Sequence, residues 1–156
     1  MDRKLKHDIN SLFFKMKTSI HLLTEDVSKE EKETISKILL SMTDKLELLC
    51  LTFFADIKNE NKQTVNLCEY FGINNHMYIN ADKKLVDFYI KILKHLIEDG
   101  LESIKFEDNS LNFYGNFKIQ NEIDKYLVKF LQTLSKKIDL QLDMNKNKVS
   151  MTCTGK

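Results

Sequence analysis

The chain has 156 residues and a formal net charge of +1, from 24 Lys and Arg against 23 Asp and Glu. That balance gives no electrostatic drive toward nucleic acid or an anionic membrane, so neither is expected as a partner. Cys50, Cys68 and Cys153 lack CxxC or metal-type spacing, which points away from a metal site and toward reduced thiols in a cytoplasmic protein. No apolar run approaches the roughly 18–20 residues needed to span a bilayer. Met1-Asp2-Arg3-Lys4 enters a charged helix rather than a signal peptide.

Taken in chain order, the pattern predicts a first helix from about residue 2 to about residue 25. Ile9, Leu12, Phe13, Met16, Ile20 and Leu23 gather on one face as a core stripe. His7, Asn10, Ser11, Thr18 and His21 gather on the other, joined by Phe14. Ser28 and Glu31 form a capping box for a second helix, expected from about residue 29 to about residue 58. Ile35, Ile38, Leu39, Met42, Leu46, Leu49 and Phe53 make one stripe on it, and Leu40, Leu48 and Leu51 a second. One hairpin cannot cover both stripes. Either two chains pair into a four-helix bundle or the C-terminal half covers the second stripe.

The polar run Lys58–Gln63 reads as a linker, and the pattern then changes. Residues 64–71, ending at Gly72, are β-like, and Met77-Tyr78-Ile79 is a second short strand. A helix is expected from about Asp82 to about Asp99, stopped by Gly100. Ile104-Lys105-Phe106 and Leu111-Asn112-Phe113-Tyr114 read as paired strands around a Glu107-Asp108-Asn109-Ser110 turn. Asn121 caps a further helix carrying Ile123, Tyr126, Leu127, Phe130, Leu131, Leu134 and Ile138. A terminal hairpin turns at Asn145-Lys146-Asn147-Lys148.

His7-Asp8-Ile9-Asn10-Ser11 opens an amphipathic helix that is followed by a tight turn, a long second helix and an α+β region. This layout resembles a sensor histidine kinase core. Within that group it is most similar to the ChpT-type histidine phosphotransferases, whose phosphoacceptor motif is similar to His-Asp-Leu-x-Ser. The family's usual proline after the motif is Leu12 here, and Leu22-Leu23 sits where the family places an apolar pair. Lys91-Ile92-Leu93-Lys94-His95-Leu96 looks like the kinase N-box but lacks its asparagines. No DxGxG follows, and only about Asn116 to Gln120 stands in the place of the nucleotide lid. By this resemblance, taking phosphate from ATP is unlike the chain.

The expected fold class is therefore α+β. Residues 1–60 would form a helical hairpin for phosphoacceptance and dimerisation, paired as a dimeric four-helix bundle. Residues 61–156 would form a small α/β sandwich resembling a degenerate histidine kinase ATPase domain. The resemblance implies a phosphotransferase that relays a phosphoryl group between aspartates of response-regulator receiver domains, a hybrid kinase's receiver among them. His7 would be the nucleophile, since neutral imidazole is competent near its ordinary pKa of about 6.5. Asp8 would hold the ring, and Ser11, one turn along, could bond the phosphoryl oxygens. Phe14, Lys15, Thr18 and Leu22 would extend the partner-binding surface, with Phe14 as an aromatic anchor or else packed inward. The chain would bind no cofactor itself, and Mg²⁺ would belong to the receiver. The competing readings are a non-catalytic module that sequesters a regulator or kinase, and a diverged kinase.

Overall fold

The computed structural model describes residues 1–155. Helix α1 (Arg3–Leu23) starts where the Asp2 carboxylate accepts from Lys4 N, which meets one of the donors a helix leaves unpaired at its first turn. It ends at Thr24, earlier than the spacing suggests. Helix α2 (Lys29–Phe54) starts at Ser28, whose hydroxyl accepts from Glu31 N as the capping box predicts. It stops short of residue 58 because Ala55 takes extended backbone.

The rest alternates strands and helices: β1 (Lys62–Asn66), a 3₁₀ turn over Leu67–Phe71, β2 (Tyr78–Asp82), α3 (Lys83–Ile97), β3 (Leu101–Glu107), β4 (Ser110–Gly115), α4 (Glu122–Lys137), β5 (Leu140–Met144) and β6 (Lys148–Cys153). The β-like reading of residues 64–71 is corrected here. The strand ends at Asn66, whose side chain accepts from Cys68 N and Met77 N and so turns the chain into the 3₁₀ segment. Leu67 and Cys68 are still fully buried. Burial alone therefore imitated a longer strand.

By its own contacts the chain divides into two units, each described by itself. The first is Met1–Ala55 together with Asn121–Tyr126; the second is Asp56–Gln120 with the chain from Leu127 onward. The helical hairpin thus takes up the first turn of α4, which the expected division at residue 60 does not include.

In the second unit β1 and β2 pair antiparallel, and a separate antiparallel sheet runs in the order β3-β4-β6-β5. The β3–β4 turn has Asp108 at φ 52° and Asn109 at φ 58°. Two positive φ values in succession give the turn sense that matches strand twist, and Asp and Asn tolerate it. The β5–β6 turn is held by the Asn145 side chain, which accepts from Asn147 N and Lys148 N. Apolar residues are buried at alternate positions of β5 and β6, so one sheet face is apolar. That face, the buried stripes of α3 (Leu85, Tyr89, Ile92, Leu93) and α4 (Leu127, Leu131, Leu134), and Ile138 just beyond α4 supply the core. The Tyr89 hydroxyl is satisfied by Ser135 Oγ at 2.8 Å.

Candidate functional site

The site is built by three segments of the first unit: the N-terminal half of α1, the middle of α2 and the first turn of α4. On α1 the period of the helix places His7, Ser11 and Phe14 on one side. The His7 side chain is 81 % exposed and that of Asp8 is 27 % exposed. Asp8 Oδ1 lies 3.2 Å from His7 Nδ1. Its other oxygen, Oδ2, accepts from the backbone N–H of Glu122 at 2.8 Å. One carboxylate thus joins the imidazole to the start of a helix 114 residues further along the chain.

The local logic of α4 explains why that acceptor is needed. Asn121 Oδ1 accepts from Asp124 N at 2.8 Å, and Asn121 O accepts from Lys125 N. Asn121 is therefore the cap and Glu122 the first helical residue. Its N–H points out of the helix and finds no acceptor within the helix. A carboxylate at a helix N-terminus is also favoured by the helix dipole. The Asp8 carboxyl is accordingly held below its ordinary pKa of 3.8, first by the Glu122 amide, next by the His7 hydrogen bond, and also by the charge of Lys15.

Beside this carboxylate lies a cleft of about 290 Å³. Asp8, Ser11, Leu12 and Lys15 line it from α1, Met42 and Lys45 from α2, and Asn121 and Ile123 from the start of α4. Lys45 Nζ is 3.1 Å from Asp124 Oδ1, with side chains only 22 % and 11 % exposed. The first turn of α4 is held further by Tyr126, which receives a hydrogen bond from Thr52 Oγ1 at 3.2 Å and stacks in tilted fashion on Phe53.

The residues expected at the site separate into two groups. His7 pairs with Asp8, and Asp8 lines the cleft with Ser11 and Lys15. Phe14, Thr18 and Leu22 lie down the same helix, away from the cleft. Phe14 is 71 % exposed rather than packed inward. Thr18 donates its hydroxyl to Phe14 O, a bond within the helix. Sequence reasoning missed Asn121, Glu122, Lys45 and Asp124 as the surroundings of Asp8. Asn121 is recognisable as a cap, and a cap implies orphan donors after it, but nothing in the sequence says that Asp8 receives one.

No family model matches the sequence, and no curated protein does. The described residues form a mixed α+β protein of four α-helices and two antiparallel sheets. Among the solved structures to which the chain is similar is that of the Acinetobacter baumannii histidine kinase AdeS, with a TM-score of 0.48 and 8 % identity over 100 % of each chain.

Proposed function

We propose that the protein is a histidine phosphotransferase that relays a phosphoryl group between receiver-domain aspartates through His7. The observation that carries this reading is an exposed imidazole whose Nδ1 sits on a carboxylate that is itself tied down. Phosphoryl transfer asks the protein chiefly for positioning, and this arrangement supplies it. In the forward step a ring nitrogen of His7 forms a P–N bond to the phosphorus of an aspartyl phosphate. The P–O bond breaks and the receiver's carboxylate leaves with its electron pair. The second receiver reverses the step: its aspartate attacks and His7 is restored.

Under this reading Ser11 and Lys15 face the transferred group from the cleft side. The exposed Phe14, with Thr18 and Leu22, forms the docking face for a receiver. Mg²⁺ travels with the receiver. Two copies pair through the apolar residues the hairpin leaves exposed, and the protein works in the cytoplasm. No helix among the described residues is long and apolar enough to cross a membrane.

The test is incubation with a phosphorylated receiver domain, wild type against His7→Ala. Acid-labile label on the wild-type chain and none on His7→Ala supports the relay. Label that persists on His7→Ala sinks it. Binding of the receiver without any transfer would instead identify a sequestering module.

A further inference from the structure

The bond from Glu122 N–H to Asp8 is more than a helix cap, because the same carboxylate faces the histidine. An aspartate side chain has two torsions, and an exposed one beside a histidine ordinarily samples several rotamers. Here Oδ2 is pinned at 2.8 Å by a backbone donor that cannot rotate away. With Oδ2 fixed, Oδ1 is delivered to Nδ1 at 3.2 Å. A carboxylate only accepts, so the hydrogen bond requires the proton on Nδ1. The partner of one ring nitrogen thus decides the state of the other, and Nε2 is left with its lone pair.

We propose that the backbone N–H of Glu122 is a positioning group for His7: by clamping Asp8 it sets the Nδ1–H tautomer and makes Nε2 the nucleophile. The proposal rests on the relay reading for its use, but not for its geometry. In the transfer step the Nε2 lone pair forms the P–N bond and the P–O bond to the donor aspartate breaks. The proton stays on Nδ1, and the positive charge of the phosphorylated ring is balanced by Asp8. The start of α4 thereby becomes part of the phosphoacceptor, acting through Asp8. Ser11 and Lys15 do not compete for this role. They line the cleft together with Asp8, and Lys15 acts on the carboxylate through its charge.

The decisive variant is Glu122→Pro in the full-length chain. Proline removes the N–H and is well tolerated at the first position of a helix. Helix caps typically have the extended backbone that a following proline requires. Long-range ¹H–¹⁵N correlation of the labelled histidines at alkaline pH reads the tautomer directly. Wild type should show His7 protonated at Nδ1, and Glu122→Pro should move it toward the Nε2–H form. Glu122→Ala, which keeps the N–H, should hold the wild-type tautomer. Receiver-driven labelling of Glu122→Pro should slow by about tenfold, the size of one lost hydrogen bond to a charged group.

An unchanged tautomer in folded Glu122→Pro overturns the proposal and leaves the relay standing. A tautomer that moves while the wild-type chain takes no label does the reverse. If Glu122→Pro does not fold, the Glu122 amide proton of the wild-type chain replaces it as the readout. That resonance should lie downfield and shift in Asp8→Ala, and a resonance that stays put overturns the proposal.

Discussion

The two units are stabilised in different ways. The second buries the greater part of its apolar side chains, with Tyr89, Phe113, Ile92, Leu93, Leu127 and Leu131 all fully enclosed. In the helical hairpin the seam is narrow: Leu5, Leu12, Leu48 and Leu49 are buried, while Phe13, Phe14, Ile20, Ile38, Leu40, Phe53 and Phe54 remain exposed. What fixes the first unit around the histidine is polar and directional. The Asp8–Glu122 bond and the Lys45–Asp124 pair join α1 and α2 to the first turn of α4. A dense apolar core tolerates little change in volume, and its stability depends little on any one charged pair. A site held by two polar ties should behave in the opposite way.

The largest expected effect separates activity from stability. His7→Ala should abolish labelling by a phosphorylated receiver, yet shift unfolding by less than about 0.5 kcal/mol, as befits an exposed side chain. Urea denaturation of the two proteins checks the second half. A large loss of stability would mean that His7 is a packing residue and that the loss of label is trivial.

Next comes a volume change in the second unit. A Cβ on Gly115 would stand 2.0 Å from the backbone oxygen of Gly100, and Asn116 N donates to that same oxygen at 2.9 Å. Neither backbone can withdraw without breaking the start of the β3–β4 pairing. Gly115→Ala should therefore cost about 3 kcal/mol. Thermal unfolding followed by circular dichroism reads it, and a cost below about 1 kcal/mol would show that the crossing has slack.

The contrast also explains what could be read in the sequence. The β3–β4 and β5–β6 hairpins were legible because each combines alternating apolar residues with local turn chemistry, Asp108-Asn109 in one and Asn145 in the other. The helical stripes were legible in period but not in depth. Phe13 and Ile20 belong to the core stripe of α1 by spacing, yet both are half exposed, since a single partner helix covers only a narrow arc. His7, Asp8 and Ser11 are singled out by their order along one helix. Glu122 was not, because the hydrogen bond that matters joins positions 114 residues apart and obeys no periodicity.

A charge deletion in the first unit should rank below the glycine. Removing Lys45 leaves the Asp124 carboxylate, only 11 % exposed, without its partner at 3.1 Å. Lys45→Ala should cost about 2 kcal/mol, between the limits for exposed and buried pairs. Replacing both residues, as Lys45→Met with Asp124→Leu, should restore part of that, because the orphaned charge goes too. If the double variant is as unstable as the sum of the single ones, the pair does not act as a pair.

The smallest effect is the most specific to Asp8. Its carboxyl is held below the ordinary value of 3.8, first by the Glu122 amide and then by His7. A depressed folded pKa means that the native state binds the proton less readily than the unfolded chain does. Its contribution is therefore complete above the unfolded value and is lost as pH falls through the folded one. Asp8→Asn keeps an oxygen for Glu122 N–H but removes the charge. The stability gap between wild type and Asp8→Asn should be level above the unfolded value of 3.8 and close progressively as pH falls through the lower folded one. Denaturation at a series of pH values measures it. A gap that widens toward acid has the wrong sign for a clamped carboxylate, and would mean that the charge of Asp8 opposes the very contact its geometry makes.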